Sequence, residues 1–312
     1  MENLIFSINV VLPIFLLMTI GLFLRHIGIF EEGFLKKANN FAFKVLLPAL
    51  LFNNIYKSHI SEAVNLNLII FAISIILGIV GIMFILVTKL EKDNRNRGII
   101  IQGLYRSNFV LFGVPLSRNI FGDSNIATVT TLVAIIIPLY NFLAVIILDW
   151  YSNDKSDYKK TIISILKNPL IIGSVLGIVA SLLNVKLPLF AEKVVSDMAG
   201  MATPLALMVL GGEIEIKNIA KNLKYISIVT FGKLIAVPAI AITIAALSGY
   251  RGVELGALFS MVSPSCAVSS YTMAQQYECN YELAGQLVFV STLFSPLTIF
   301  MFIYFMKSYG LI

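Results

Sequence analysis

Apolar residues run along this chain in blocks of about twenty, separated by short polar breaks, the length a helix needs to cross a hydrocarbon core of ~30 Å. The pattern predicts ten membrane-spanning helices at roughly 7–25, 37–57, 66–88, 98–118, 126–149, 162–184, 193–213, 223–247, 252–275 and 282–307. The longest break, DWYSNDKSDYKK, follows the fifth block and divides the chain into 1–150, a central loop at 151–160, and 161–312. The first block has no basic leader and no small-residue cleavage site, so it reads as a span rather than a cleaved signal.

Two spans spoil the pattern. The fourth contains RSNFVLFGVPLSR, with Arg106, Ser107, Asn108, Gly113 and Pro115. The ninth contains SMVSPSCAVSSYTMAQQY, with Ser263, Pro264, Ser265, Ser269 and Ser270. In hydrocarbon an unsatisfied backbone group costs several kcal/mol. Proline removes a donor and glycine weakens a helix. Such segments belong in protein or against a cavity, and Gly113, Pro115 and Pro264 are the expected helix breaks. Paired interruptions at the fourth place of each half are the mark of a midplane binding site, where half-helix N-termini favour an anion. The general abundance of Pro and Gly in membrane helices accounts for any one of these residues alone.

Composition agrees with this reading: 58% of the 312 residues are hydrophobic, 13% are charged, and mean hydropathy is +0.89. The fold class is therefore an all-α membrane protein. Fourteen Lys and Arg fall in the breaks after spans one, three, five and seven, and five in the alternate breaks. By the positive-inside rule both termini lie outside and the central loop is cytoplasmic, in the plasma (inner) membrane. The net charge of +6 is thus a topology signal and calls for no nucleic-acid partner.

Pro13, Gly21, Lys37 and Pro48 return at an offset of 156 as Pro169, Gly177, Lys193 and Pro204. Five spans is an odd number, so a second copy enters the membrane upside down, and an inverted five-plus-five repeat is a transporter architecture. The acids, among them Asp149, Glu213 and Glu254, sit at span ends, whereas Arg106 and Lys233 lie within spans. Intramembrane cations without facing carboxylates fit an anionic substrate. The other reading of Lys233, and of Lys44, is snorkelling to the interface. Pro138, Tyr140 and Asn141 of span five extend the polar set, with Tyr140 better read as core. Two His, two Cys and no CxxC predict no metal and no cofactor. Cys266 and the span-nine serines lack a deep His or acid to activate them, and GxSxG is absent, so no enzyme is expected. A sensor would need an output domain, for which there is no room.

These residues resemble the auxin efflux carriers of plants and their bacterial relatives. The likeness covers nearly the whole chain. LPIFLLMTIGLFLRHIGIFEEGFLKKANNFAFKVLLPALLF is similar to the family's first two spans, RSNFVLFGVPL to its fourth, KNPLIIGSVLGIVASLL to its sixth, GKLIAVP to its eighth and SPSCAVSSYTMAQQY to its ninth. The resemblance implies that broken spans four and nine cross at the site. It also implies that spans 3–5 and 8–10 move elevator-fashion against a scaffold of spans 1, 2, 6 and 7. By analogy, a homodimer would form through that scaffold. It implies a small organic anion as substrate, with Asn108 on the crossover asparagine and Pro264 on the span-nine proline. Ser107 stands where plant carriers have Pro, and Ser265 where they have Gln. The plant third-span Asp and Lys are missing, and the long loop is reduced to about a dozen residues. These departures point away from auxin and towards the bacterial members. The expected function is a secondary transporter binding a carboxylate through Asn108 and Ser265, with Arg106, Ser107, Ser263, Pro264 and Asn141 around it. A sodium-coupled symporter of the bile-acid type is the alternative. With no buried carboxylate, uniport is the simplest coupling, and proton or sodium coupling stays open.

Overall fold

The computed structural model describes residues 2–57, 65–122, 125–152, 158–214 and 216–312, so His59 lies outside the described residues. Among them the regular structure is entirely helical, with one isolated antiparallel bridge, between Ser107 and Cys266. Five helices are long and apolar enough to cross a membrane: Leu66–Leu90, Ile126–Ser152, Leu189–Glu213, Ala220–Leu247 and Tyr281–Ser308. Shorter apolar helices lie before and between them. The outside carries leucine and isoleucine, such as Ile82, Leu182 and Leu247, while Arg106, Lys233 and Gln102 are buried. That inversion of the soluble-protein pattern is what a lipid solvent requires.

In chain order the helices are α1 (Glu2–His26), α2 (Glu32–Phe41), α3 (Leu47–Tyr56), α4 (Leu66–Leu90), α5 (Asn94–Tyr105), α6 (Val114–Phe121), α7 (Ile126–Ser152) and α8 (Tyr158–Lys167). They continue as α9 (Pro169–Leu182), α10 (Leu189–Glu213), α11 (Ile216–Ile219), α12 (Leu223–Phe231), α13 (Val237–Leu247), α14 (Gly252–Val262), α15 (Ser269–Gln276) and α16 (Tyr281–Ser308). Helix starts are chemically marked. Asn65 accepts from the N–H groups of Asn67 and Leu68, and Asn168 from those of Leu170 and Ile171, with Pro169 in the first turn. The expected sixth span is therefore two helices, recapped at Asn168.

Three prolines follow a common device. The π-helical turns Ala42–Leu46, Phe109–Gly113 and Gly232–Ala236 each end two residues before a proline, at Pro48, Pro115 and Pro238. A wider turn ahead of proline makes room for its ring against the preceding carbonyl, and the helix runs on. This corrects the placing of the first break. The chain leaves the helix at Arg106–Asn108, and Gly113 and Pro115 lie in the helical segment that resumes afterwards. Gly113 serves close packing instead: a Cβ there would stand 2.7 Å from the Ser260 carbonyl oxygen of α14.

Two helix pairs approach at backbone distance. A Cβ on Gly21 of α1 would meet the Met208 carbonyl oxygen of α10 at 1.9 Å, and one on Gly211 of α10 would meet that of Met18 at 2.0 Å. In α9 and α3, a Cβ on Gly173 would lie 2.6 Å from the Pro48 carbonyl oxygen. Lipid tails are as apolar as leucine, so close van der Waals approach through small residues is what holds such helices together.

Candidate functional site

The two interruptions meet. After α5 the backbone turns extended at Arg106 (φ −85°, ψ 110°), and after α14 it leaves the helix at Ser263, with Pro264 next. Backbone groups stranded by one break are satisfied by the other: the Asn108 N–H donates to the Ser265 carbonyl (2.8 Å), and Ser107 bridges Cys266. Helix α16 supports the second break from behind. Ser291 Oγ accepts from the Cys266 N–H (3.0 Å), and Thr292 Oγ1 donates to Ser265 Oγ (3.2 Å). The Cys266 thiol donates to the Gly103 carbonyl, so it is a packing group rather than a free nucleophile.

Two buried cations flank the junction. Arg106 Nη2 donates to Asn141 Oδ1 of α7 and to Ser269 Oγ (2.9 Å) at the start of α15, and its other arm lies against the Met273 sulfur. Lys233 Nζ donates to Ser107 Oγ and to the Val262 carbonyl (3.2 Å), the last helical residue before the second break. Lys233 has no exposed surface and does not snorkel, whereas Lys44, in the π turn before Pro48, is exposed. Among the described residues neither Arg106 nor Lys233 is paired with a carboxylate. All their bonds go to neutral oxygen or sulfur atoms, so their charge is hydrogen-bonded and not cancelled.

A cavity of about 90 Å³ opens beside the junction. Of the residues expected at a site, Arg106, Ser107, Asn108 and Asn141 line it, and Ser263, Pro264 and Ser265 do not. Ser265 turns its hydroxyl to Thr292, away from the cavity; Ala267, Val268 and Ser269 form that wall instead. Asn54 of α3 and Thr203 of α10 also face the cavity, and the sequence reading did not single them out. The Asn108 and Asn54 amide nitrogens are buried with no hydrogen-bond partner. No Asp or Glu lines this cavity among the described residues.

A second, larger cavity of about 600 Å³ lies at the end that carries Arg25, Lys36 and Arg95, lined by α1, α2 and α10 on one side and α15 and α16 on the other. Along α10 it begins at Leu210, one turn beyond Ala206 of the smaller cavity, about 6 Å by helical rise. Glu213 here accepts both Gln275 Nε2 bonds (3.1 Å each). Among the described residues no group of three or more His, Cys, Asp or Glu could hold a metal ion.

Comparison with known proteins bears on the whole chain. It is 26% identical over 301 residues to an uncharacterized transporter of Methanocaldococcus jannaschii, covering 93% of this chain and 96% of that protein. It is 20% identical over 298 residues to an uncharacterized transporter of Methanothermobacter thermautotrophicus, covering 93% and 95%. The family model described as membrane transport protein matches residues 6–303. A multi-pass membrane chain built around two helix breaks, matched by that model over nearly its whole length, belongs to the auxin-efflux-carrier-like family of membrane transport proteins.

Proposed function

We propose that this transporter carries a small organic anion, held as a carboxylate in the cavity where the two helix breaks meet. The observation behind this is the cavity's one-sided chemistry. Arg106 and the unpartnered Asn108 amide offer donors and positive charge, and no acid among the described residues lines the walls. A carboxylate supplies the acceptors such a site lacks.

The architecture we infer is ten spans in an inverted five-plus-five repeat, with both termini outside and the central loop cytoplasmic. Packing supports the repeat. Gly21 lies against Met208, and Gly177 lies against Phe52. Both members of the first contact map onto the second by the 156-residue offset found in the sequence. The seam supports an elevator mechanism. Helices α1, α3, α9 and α10 form one tightly packed group, and both cavities lie between it and the group containing α5, α7, α15 and α16. Sliding of one group past the other would carry the small cavity across the membrane, the large one serving as its cytoplasmic vestibule. Sodium coupling would need free oxygen ligands at the junction, yet Lys233 already occupies the Ser107 hydroxyl and the Val262 carbonyl.

The test is solid-supported-membrane current from proteoliposomes challenged with mono- and dicarboxylates, with and without sodium and proton gradients. A saturable, sodium-independent current lost in Asn108→Ala is the expected result. A folded Asn108→Ala with unchanged affinity would sink the site, and a sodium requirement would favour the symporter.

A further inference from the structure

We infer that Asn54, on α3, is a substrate-contacting residue that reads a second oxygen-bearing group of the transported acid. This rests on the carboxylate reading above and extends it to a wall that reading does not use.

Three observations carry it. Asn54 Nδ2 is buried and has no hydrogen-bond partner, although a buried amide donor without one costs about 1–3 kcal/mol. The group faces the same cavity as Asn108 Nδ2, which also has no partner. And α3 packs against α9 and α10 across the cavity from the breaks, so the two amides belong to different walls and to the two sides of the seam. Two unmet donors on separate walls match a ligand with acceptors at both ends. A cavity of about 90 Å³ suits a compact aliphatic acid better than a large ligand. Asn54 is neutral, so it binds the second group without adding a cation to Arg106, and an acid with one carboxylate leaves it unmatched.

Malonate and propionate form a matched pair of probes: both have three carbons, and they differ by the second carboxylate. Their dissociation constants are measured on the purified full-length protein by calorimetric titration. In Asn54→Leu, malonate is expected to weaken about 10- to 100-fold, as loss of a hydrogen bond to a charged group implies, while propionate changes less than about twofold. Asn54→Asp, equal in size, should reject malonate more strongly still, and it carries the same test if the leucine variant does not fold. Equal losses for both acids, or no loss for malonate, overturn the assignment. If Asn108→Ala abolishes binding of both acids while the Asn54 variants change neither, the carboxylate site stands and Asn54 is removed from it. A wild-type protein that binds neither acid overturns both.

Discussion

Two regions of this bundle are held together by opposite means. Where α1 meets α10 and α3 meets α9, glycines bring backbones so close that an added Cβ would overlap a carbonyl oxygen. The glycine contacts there are between backbones, because in lipid close packing is the main attraction available. Where α5 and α14 stop, the backbone is held by cross-bonding between the breaks, two cations keep only neutral partners, and amide nitrogens are left without any. The first region is complete by itself. The second leaves donors and positive charge unmatched, which is what the proposed carboxylate would supply, so unmet polar demand distinguishes it from a packing seam.

The contrast breaks first at the seam. Gly21→Val should cost more than about 3 kcal/mol, because overpacking here strikes backbone and no side chain can swing away. The expected outcome is loss of the folded, monodisperse protein in detergent. Gly78→Val on α4, where a Cβ meets nothing within 4 Å, should leave the elution profile unchanged. Equal tolerance of both would show that α1 and α10 are not locked.

At the junction the effect should fall on transport. Arg106→Met removes the only cation lining the small cavity, among the described residues, and is expected to lower uptake about 100-fold while the protein still purifies folded. Arg106→Lys keeps the charge and one nitrogen for Asn141 and Ser269 but loses the second arm against Met273 and the rigid planar group, and a loss nearer tenfold is expected. Lys233→Ala tests the back of the junction. It removes the donor to the Ser107 hydroxyl and one of the two donors to the Val262 carbonyl, the other being Ser107 Oγ (3.3 Å), a loss of about 1–3 kcal/mol readable in thermal melts. Should Lys233→Ala melt like the wild type, the lysine is not what braces the break.

The helical class and both interruptions were legible from the sequence because lipid makes polarity costly, so Arg106 and Asn108 within an apolar block already demanded a special setting. The exact place of the break was not legible. Pro115 looks like the breaker, but the π turn before it absorbs the ring, as also happens at Pro48 and Pro238. Lys233 and Lys44 sit at similar depth in the sequence, and only the packing of α5 and α14 around one of them decides which is buried. Asn54 escaped notice because Asn53-Asn54 closes an apolar run and reads as a span end; its role depends on which way one helix face points.

Ser265→Ala separates the two readings of the second break. From its place beside Pro264, Ser265 looks like a ligand for a carboxylate. In the fold its contribution to the junction is its backbone carbonyl, which accepts from Asn108, and its hydroxyl is held by Thr292 within the protein. Alanine keeps the carbonyl and leaves the Thr292 hydroxyl to find another acceptor. The expected result is a stability loss of about 1 kcal/mol, with carboxylate affinity within about twofold of the wild type. A tenfold loss of affinity with an unchanged melt would put the hydroxyl in the site. It would also mean that the second break turns over during transport, presenting to the substrate a face that is buried against α16 here.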